Sequence, residues 1–307
     1  MLTILASPKN FHGYIGEIQE NAIRSWKGVH PGVEIVLYGN SSGAARICEK
    51  YGLQSVESIA CSPTGAPYFE AVARHAETHA RYDKHLFINA DILLPPDFLH
   101  KVQAVEWAKY LLVGQRIDLH EGVQFDACTD DWDGEIRRLA GEGRLELHSP
   151  SACDYFLFTR GTWSGLKPLV VGRGGYDNAL LAFCFRNRIP VINGTWAIHV
   201  IHQWHDYSHL PGQKQEVYWG AEGIRNRRDH DLWHSMPLSS DADYALREGR
   251  VVPYRCGGDR LREWEIALRY KHGCKYASYC LRLLWRILRA AHILREPGLH
   301  VAEAMRG

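Results

Sequence analysis

The chain has 307 residues, of which 46% are hydrophobic and 23% charged, and its net charge is +1. That length holds one large α/β domain plus an appendage, and the composition is that of a globular protein, not a disordered one. The near-neutral balance argues against nucleic acid as a partner, since affinity for it needs concentrated positive charge. Eight cysteines include no Cys-x-x-Cys pair, so neither a zinc knuckle nor a disulfide scaffold is expected, and a reducing, cytoplasmic setting is. No stretch approaches the roughly 18 apolar residues of a membrane span, and the start lacks the pattern of a signal peptide.

Leu2-Thr3-Ile4-Leu5-Ala6 reads as a buried strand, ended by Ser7-Pro8. Ile15, Ile18, Ala22, Ile23 and Trp26 give helical spacing over 15–27. His30-Pro31-Gly32 breaks it, and Val33 to Tyr38 forms a second strand ended by Gly39-Asn40. Ala44 to Tyr51 predicts a second helix. This opening favours a parallel sheet with crossover helices. Residues 66–82 form the next helix, with Pro67 in its first turn, and His85 to Asn89 a third strand leading into Ala90-Asp91. Pro95-Pro96-Asp97 opens a helix to about Lys109, and Tyr110 to Val113 is a short strand. Residues 120–149 read as an irregular acidic excursion. Tyr155 to Phe158 is a strand, Asn178 to Phe185 a helix, Val191-Ile192 a further β segment and Ala197 to Ile201 a last strand. The expectation is an α/β domain over 1–235, with a mostly parallel central sheet, and a basic helical extension over 236–307. Within it, from Arg260 to Arg295, the basic residues Arg260, Arg262, Arg269, Lys271, Lys275, Arg282, Arg286, Arg289 and Arg295 stand against two acidic ones, Glu263 and Glu265, among Leu281, Leu283, Leu284, Trp285, Ile287 and Leu288. Such a stretch suits an anionic membrane surface or packing on the domain.

Four constellations carry chemistry. Asn89-Ala90-Asp91 stands just past the carboxyl end of a buried strand, where ligands of parallel sheets bind. Asp91 there either caps a turn or ligates a hard divalent cation such as Mn²⁺ or Mg²⁺. Gly172-Arg173-Gly174-Gly175-Tyr176-Asp177-Asn178 leads from flexible glycines into a helix. Asp177 is either an N-cap or a general base, and Arg173 is available to a phosphate or an acidic sugar. His199, His202, His205 and His209 fall within eleven residues. His199 lies on the strand and reads as structural, whereas His202 and His205 lie where a metal ion can be reached. Finally, Gly114-Gln115-Arg116-Ile117-Asp118 and Cys153-Asp154-Tyr155 place charge at strand boundaries.

Taken in order, several motifs resemble a family of glycosyltransferase-like proteins of bacterial polysaccharide loci and plants. They are Ser7-Pro8-Lys9-Asn10-Phe11, Gln19-x-Asn21-Ala22-Ile23-Arg24-Ser25-Trp26, Asn89-Ala90-Asp91-Ile92, Gly114-Gln115-Arg116, Asp154-Tyr155-Phe156, Gly172-Arg173-x-x-Tyr176-Asp177-Asn178 and His202-Gln203-x-His205-Asp206-Tyr207. That family is similar to the inverting GT-A superfamily typified by family 2 glycosyltransferases, and the likeness covers about residues 2–210. It implies a GT-A fold and a divalent metal, Mn²⁺ or Mg²⁺, held by Asp91 with His202 or His205. Asp177 would be the base. Ser7, Lys9, Tyr38, Gly39 and Asn89 would line a nucleotide, and Arg116, Asp154, Arg173, Tyr176 and Asn178 would meet donor or acceptor sugar. The implied partners are a nucleotide-sugar, UDP-linked by analogy, and a glycan or lipid-linked glycan acceptor at the inner face of the cytoplasmic membrane. Asn89 departs from the superfamily's Asp-x-Asp. Two competing readings are a metal-dependent nucleotidyltransferase or phosphohydrolase, and a sugar-binding module with a degenerate site.

Overall fold

A computed structural model describes residues 1–205, 213–254, 260–290 and 301–305. Asp206, Tyr207, His209 and Arg295 lie outside the described residues. In chain order the elements are β1 (Thr3–Ala6), α1 (Gly13–Val29), β2 (Glu34–Tyr38), α2 (Ala44–Tyr51), β3 (Gln54–Val56), α3 (Phe69–His79), β4 (Lys84–Ile88), β5 (Ile92–Leu93), α4 (Phe98–Lys101), β6 (Leu111–Val113), β7 (Ile117–Leu119), α5 (Trp132–Gly141), β8 (Leu145–Leu147), β9 (Tyr155–Thr159), α6 (Tyr176–Arg186), β10 (Val191–Asn193), β11 (Ile201–His202), α7 (Gln213–Trp219), α8 (Ala221–Asp229), β12 (Tyr244–Arg247), β13 (Arg250–Pro253), α9 (Arg260–Ile266), α10 (Lys275–Ala290) and α11 (Val301–Ala304).

Nine strands form one sheet in the order β13-β12-β10-β6-β9-β4-β1-β2-β3. The sheet is mostly parallel. β9 runs antiparallel between β4 and β6, and β13 antiparallel at the edge beside β12. Period-two alternation splits its side chains between two layers. Ile4, Ala6, Leu86, Ile88 and Leu157 face one apolar cluster with Ala22, Ile23 and Trp26 of α1. Leu5, Phe87, Phe156 and Phe158 face the other, with Phe69 and Val72 of α3 and Ala179 to Ala182 of α6. In that second layer Phe69 meets Phe87 and Trp163 edge-to-face, both at 5.2 Å between centroids. Edge-to-face is the arrangement the ring quadrupoles favour.

A second sheet, β5-β11-β7-β8, lies on the α1 side. Its register sets the neighbours of His202. β11 runs parallel to β7 with His202 beside Asp118, and antiparallel to β5 with His202 across from Ile92.

Several expectations are corrected. The 120–149 excursion is not irregular throughout, because it holds α5 and β8, and Trp132, Ile136 and Leu139 are buried in the core. The helix after Pro96 is a single turn, α4, plus a 3₁₀ turn over Val102–Ala104. The helix after Pro67 starts at Phe69, and the strand expected from Ala197 begins only at Ile201. The stretch after 236 is not all helical. β12 pairs with β10 inside the main sheet, and Glu248 (φ +46°) with Gly249 (φ +69°) makes the tight turn to β13. The seven described cysteines are all free. No helix among the described residues is long and apolar enough to cross a membrane.

Candidate active site

The carboxyl ends of β1, β2 and β4 release Ser7–Asn10, Gly39–Ser41 and Asn89–Asp91 onto one edge, at the point where the strand order reverses, with β2 and β3 on one side of β1 and β4 on the other. A cavity of about 1060 Å³ opens there. Helix α1 holds its floor. Gln19 clamps Lys9 at both backbone groups: its Oε1 accepts from Lys9 N at 2.6 Å and its Nε2 donates to Lys9 O at 3.0 Å. Ser25 Oγ accepts from Leu94 N at 3.0 Å, and Trp26 Nε1 donates to Ile92 O at 2.9 Å. The polar residues of the Gln19–Trp26 run therefore fix the loops that carry Lys9 and Asp91.

At this end Asp91, His202 and His205 come together, each with a ligand atom within 4.8 Å of the others. β11 delivers His202 by register, and Gln203 extends the ladder by donating from its backbone N to Asp91 O at 3.2 Å. The Gln203 amide is buried against Ile18 O, so it serves the backbone and not a ligand. His205 Nε2 lies 3.0 Å from Asp91 Oδ2, and Lys9 Nζ 3.7 Å from the same oxygen. Asp91 Oδ1 is buried with no hydrogen-bond partner among the described residues. Burial opposes ionisation of Asp91, but the His205 hydrogen bond and the charges of Lys9, His202 and His205 outweigh it and hold the carboxyl well below the usual range. One carboxylate with an orphaned oxygen and two imidazoles form a donor set that suits Mn²⁺ or another divalent ion.

Behind His202 stands a polar chain. Its Nδ1 pairs with Asp118 Oδ1 at 2.9 Å, and His148 Nδ1 with Asp118 Oδ2 at 2.6 Å. Arg116 bridges Asp118 (2.7 Å) to Asp154 (2.5 Å), and the Asn89 amide donates to Asp154. Asn89 thus turns its amide nitrogen to Asp154. A carboxylate in its place would face Asp154 directly, which gives a physical reason for the departure from Asp-x-Asp.

The opposite end is built around α6. Gly175, at φ +81°, precedes the helix, and Asp177 sits in its first turn, where the helix dipole favours negative charge. Asp177 does not cap the helix. Its Oδ1 accepts from Asn178 N at 2.9 Å and its Oδ2 from Cys153 N at 3.1 Å. Burial nevertheless dominates, aided by the nearby Asp154 charge, and the carboxyl is pushed up to about 6. Asn178 donates to Ser151 O (3.3 Å) and Pro237 O (2.8 Å), pinning the wall. Tyr176 is buried among Phe69, Phe87 and Phe156 and touches the cavity. Arg173 reaches the rim, where its Nε donates to Glu222 at 2.8 Å.

Of the residues given a catalytic, metal, nucleotide or sugar role from sequence, all but Tyr38 line the cavity. Its side chain points to the α3 face, where the hydroxyl meets His75 Nδ1 at 3.2 Å. His199 is structural as expected, with Nδ1 3.1 Å from Asp133. Sequence reasoning missed His148 and Arg227. It noted Asp118 without a role, although the His202 register would have paired them.

No family model matches the sequence, and no curated protein matches it. Solved structures are similar to parts or most of it. TarS from S. aureus (residues 1–349, in complex with UDP-GlcNAc) matches at 18% identity and a TM-score of 0.30, over 40% of this chain and 36% of that one. The chain thus spans about a third of that TarS fragment. Glucosyl-3-phosphoglycerate synthase from Mycobacterium tuberculosis, in complex with Mn²⁺, UDP and phosphoglyceric acid, matches at 14% identity and a TM-score of 0.43, over 78% of this chain and 80% of that one. A mycobacterial protein matches at 13% identity and a TM-score of 0.45, over 83% and 84%.

Proposed function

We propose that this protein is a GT-A-type glycosyltransferase that moves a sugar from a nucleotide-sugar to an acceptor hydroxyl with inversion. One observation carries the reading. A single cavity has a divalent-ion donor set at the strand-end side and, at the other, a part-buried carboxylate whose proton affinity, raised by desolvation, suits a general base near neutral pH. Asp91, His202 and His205 would hold the metal, which when bound offsets negative charge on the leaving diphosphate. Ser7, Lys9, Gly39 and Asn89 line the donor side. Arg116 and Asp154 bound the sugar between the two ends.

Asp177 accepts the proton of the acceptor hydroxyl. The acceptor oxygen then bonds to the anomeric carbon as the bond from that carbon to the phosphate oxygen breaks, and the nucleoside diphosphate leaves. One displacement with one base inverts the centre. UDP, the nucleotide that the motif resemblance implies, is the first to try. The setting in this reading is the cytoplasmic face of a membrane, in polysaccharide synthesis. In support, α10 exposes Tyr276, Leu283, Leu284 and Ile287 on a helix that also carries Lys275, Arg282, Arg286 and Arg289.

Calorimetry against UDP, GDP, CDP and dTDP, with and without Mn²⁺, tests the donor end. One nucleotide is expected to bind only with metal, and Asp91→Ala to abolish that binding. Failure of every nucleotide to bind would overturn the proposal.

A further inference from the structure

Four basic side chains line the cavity: Lys9, Arg116, Arg173 and Arg227. Three meet carboxylates, Lys9 at Asp91, Arg116 at Asp154 and Asp118, and Arg173 at Glu222. Arg227 has no carboxylate within ion-pairing distance among the described residues, yet it is only 6% exposed. Withdrawing a guanidinium from water without a carboxylate in contact is costly, and the charge that does reach Arg227, that of Asp177, acts on it from beyond ion-pairing distance.

The fold goes to some length to hold it there. Helices α7 and α8 lie against the glycine loop, with Gly174 N donating to Val217 O at 2.9 Å. The Arg227 stem passes over that loop. A Cβ at Gly174 would fall 2.6 Å from its Nη2, and one at Gly175 3.1 Å from its Cγ. Its Nη1 donates to Tyr218 O, and the guanidinium stacks 4.5 Å from the centre of the Trp219 ring. One face and one N–H are therefore engaged; among the described residues its other N–H groups have no hydrogen-bond partner, Arg227 lines the cavity, and the charge of Asp177 also acts on it.

We propose that the acceptor carries an acidic group, a carboxylate or a phosphate, and that Arg227 receives it beside the hydroxyl presented to Asp177. A planar guanidinium fixed in advance matches the two oxygens of such a group and supplies the counter-charge it lacks. This rests on the transferase reading of the cavity and adds to it the class of acceptor. It also separates the two arginines of this end: Arg173 is neutralised by Glu222 and shapes the rim, and Arg227 is the one that recognises charge.

The test is calorimetry on the full chain loaded with UDP and Mn²⁺, using methyl glucuronide against methyl glucoside and glucose 1-phosphate against glucose. At least one acidic probe is expected to bind about tenfold or more tighter than its neutral partner. Which pair shows the preference tells carboxylate from phosphate. Arg227→Gln should erase it at unchanged UDP affinity. Arg227→Lys, which keeps the charge and loses the fork, should retain part of it. Should Arg227→Gln unfold, the lysine variant decides, because a purely structural arginine would shift all four probes alike. Equal binding within both pairs, no binding of any probe, or a preference that survives in Arg227→Gln would overturn the proposal. UDP binding without an acid preference sinks this subsite alone. An acid preference without UDP binding sinks the transferase reading instead.

Discussion

Asp91 and Asp177 are both part-buried aspartates on one cavity, and their surroundings drive them in opposite directions. Asp91 has imidazoles and an ammonium around it, so its charge is favoured despite desolvation and the carboxyl is held well below the usual range. Asp177 has backbone N–H donors and a neighbouring carboxylate, with no cation in contact among the described residues, so burial wins and its proton is held to about pH 6. The contrast shows how one residue type can anchor a cation at one end and shuttle a proton at the other. Single substitutions at either end put it to the test.

The largest effect is expected from Asp177→Asn. Transfer should fall about a thousandfold while nucleotide binding is kept, since a positioned base contributes on the order of 10²–10⁴. A variant within tenfold of wild type would remove Asp177 from that role. In the wild type, transfer should rise with pH through about 6 as the carboxyl deprotonates. Stability should run the other way. The folded-state value lies above the ordinary 3.8, so the contribution of Asp177 is fully present below that value and is lost as pH rises through about 6. At pH 8 the ionised group costs stability, and Asp177→Asn should raise the melting point by relieving about 1–3 kcal/mol. Calorimetric scans at pH 5 and pH 8 read both signs.

At the other end a smaller loss is expected from Asp118→Ala. It leaves Asp91, His202 and His205 in place and removes the carboxylate that orients His202 and also holds Arg116 and His148. Metal-dependent nucleotide affinity should drop about 10- to 100-fold, as measured for partners of this kind. An unchanged affinity would mean that His202 does not ligate. The smallest effect should come from Asn89→Asp. The new carboxylate faces Asp154, so thermal stability should fall by about 1 kcal/mol through like-charge contact, with metal affinity little changed. A gain in metal affinity would instead show that position 89 reaches the ion.

Much of this arrangement was legible in sequence because its residues stand at strand ends. Thr3–Ala6, Glu34–Tyr38 and Lys84–Ile88 announce themselves by apolar runs, and Lys9 and Asp91 come directly after them. Asp177 was marked by the glycines before its helix. Tyr38 was misplaced because strand end and strand face are separate questions, and alternation turns its side chain to the α3 side. Arg227 was invisible for another reason. Arg225-Asn226-Arg227-Arg228 reads as a solvated helix surface, and only the packing of α8 on the glycine loop turns one of its arginines inward. β12 and β13 were hidden by the basic stretch that comes after them, although Glu248-Gly249 between Leu246 and Val251 is a usable hairpin signal.

Arg262, 4% exposed, binds both oxygens of Asp241 at 2.9 and 2.6 Å and the Met236 carbonyl at 2.8 Å. Two residues before Asp241, Ser239 donates to Pro150 O, and Asn178, next to the proposed base, donates to Pro237 O. The helix that looks from the sequence like a detachable appendage is therefore riveted to the wall beside Asp177. No clean seam exists near 235. Shortening the protein there would strip β12 from the sheet and leave the Asn178 amide without Pro237, so loss of transfer in such a shortened form would report a collapsed wall and not the absence of a membrane anchor.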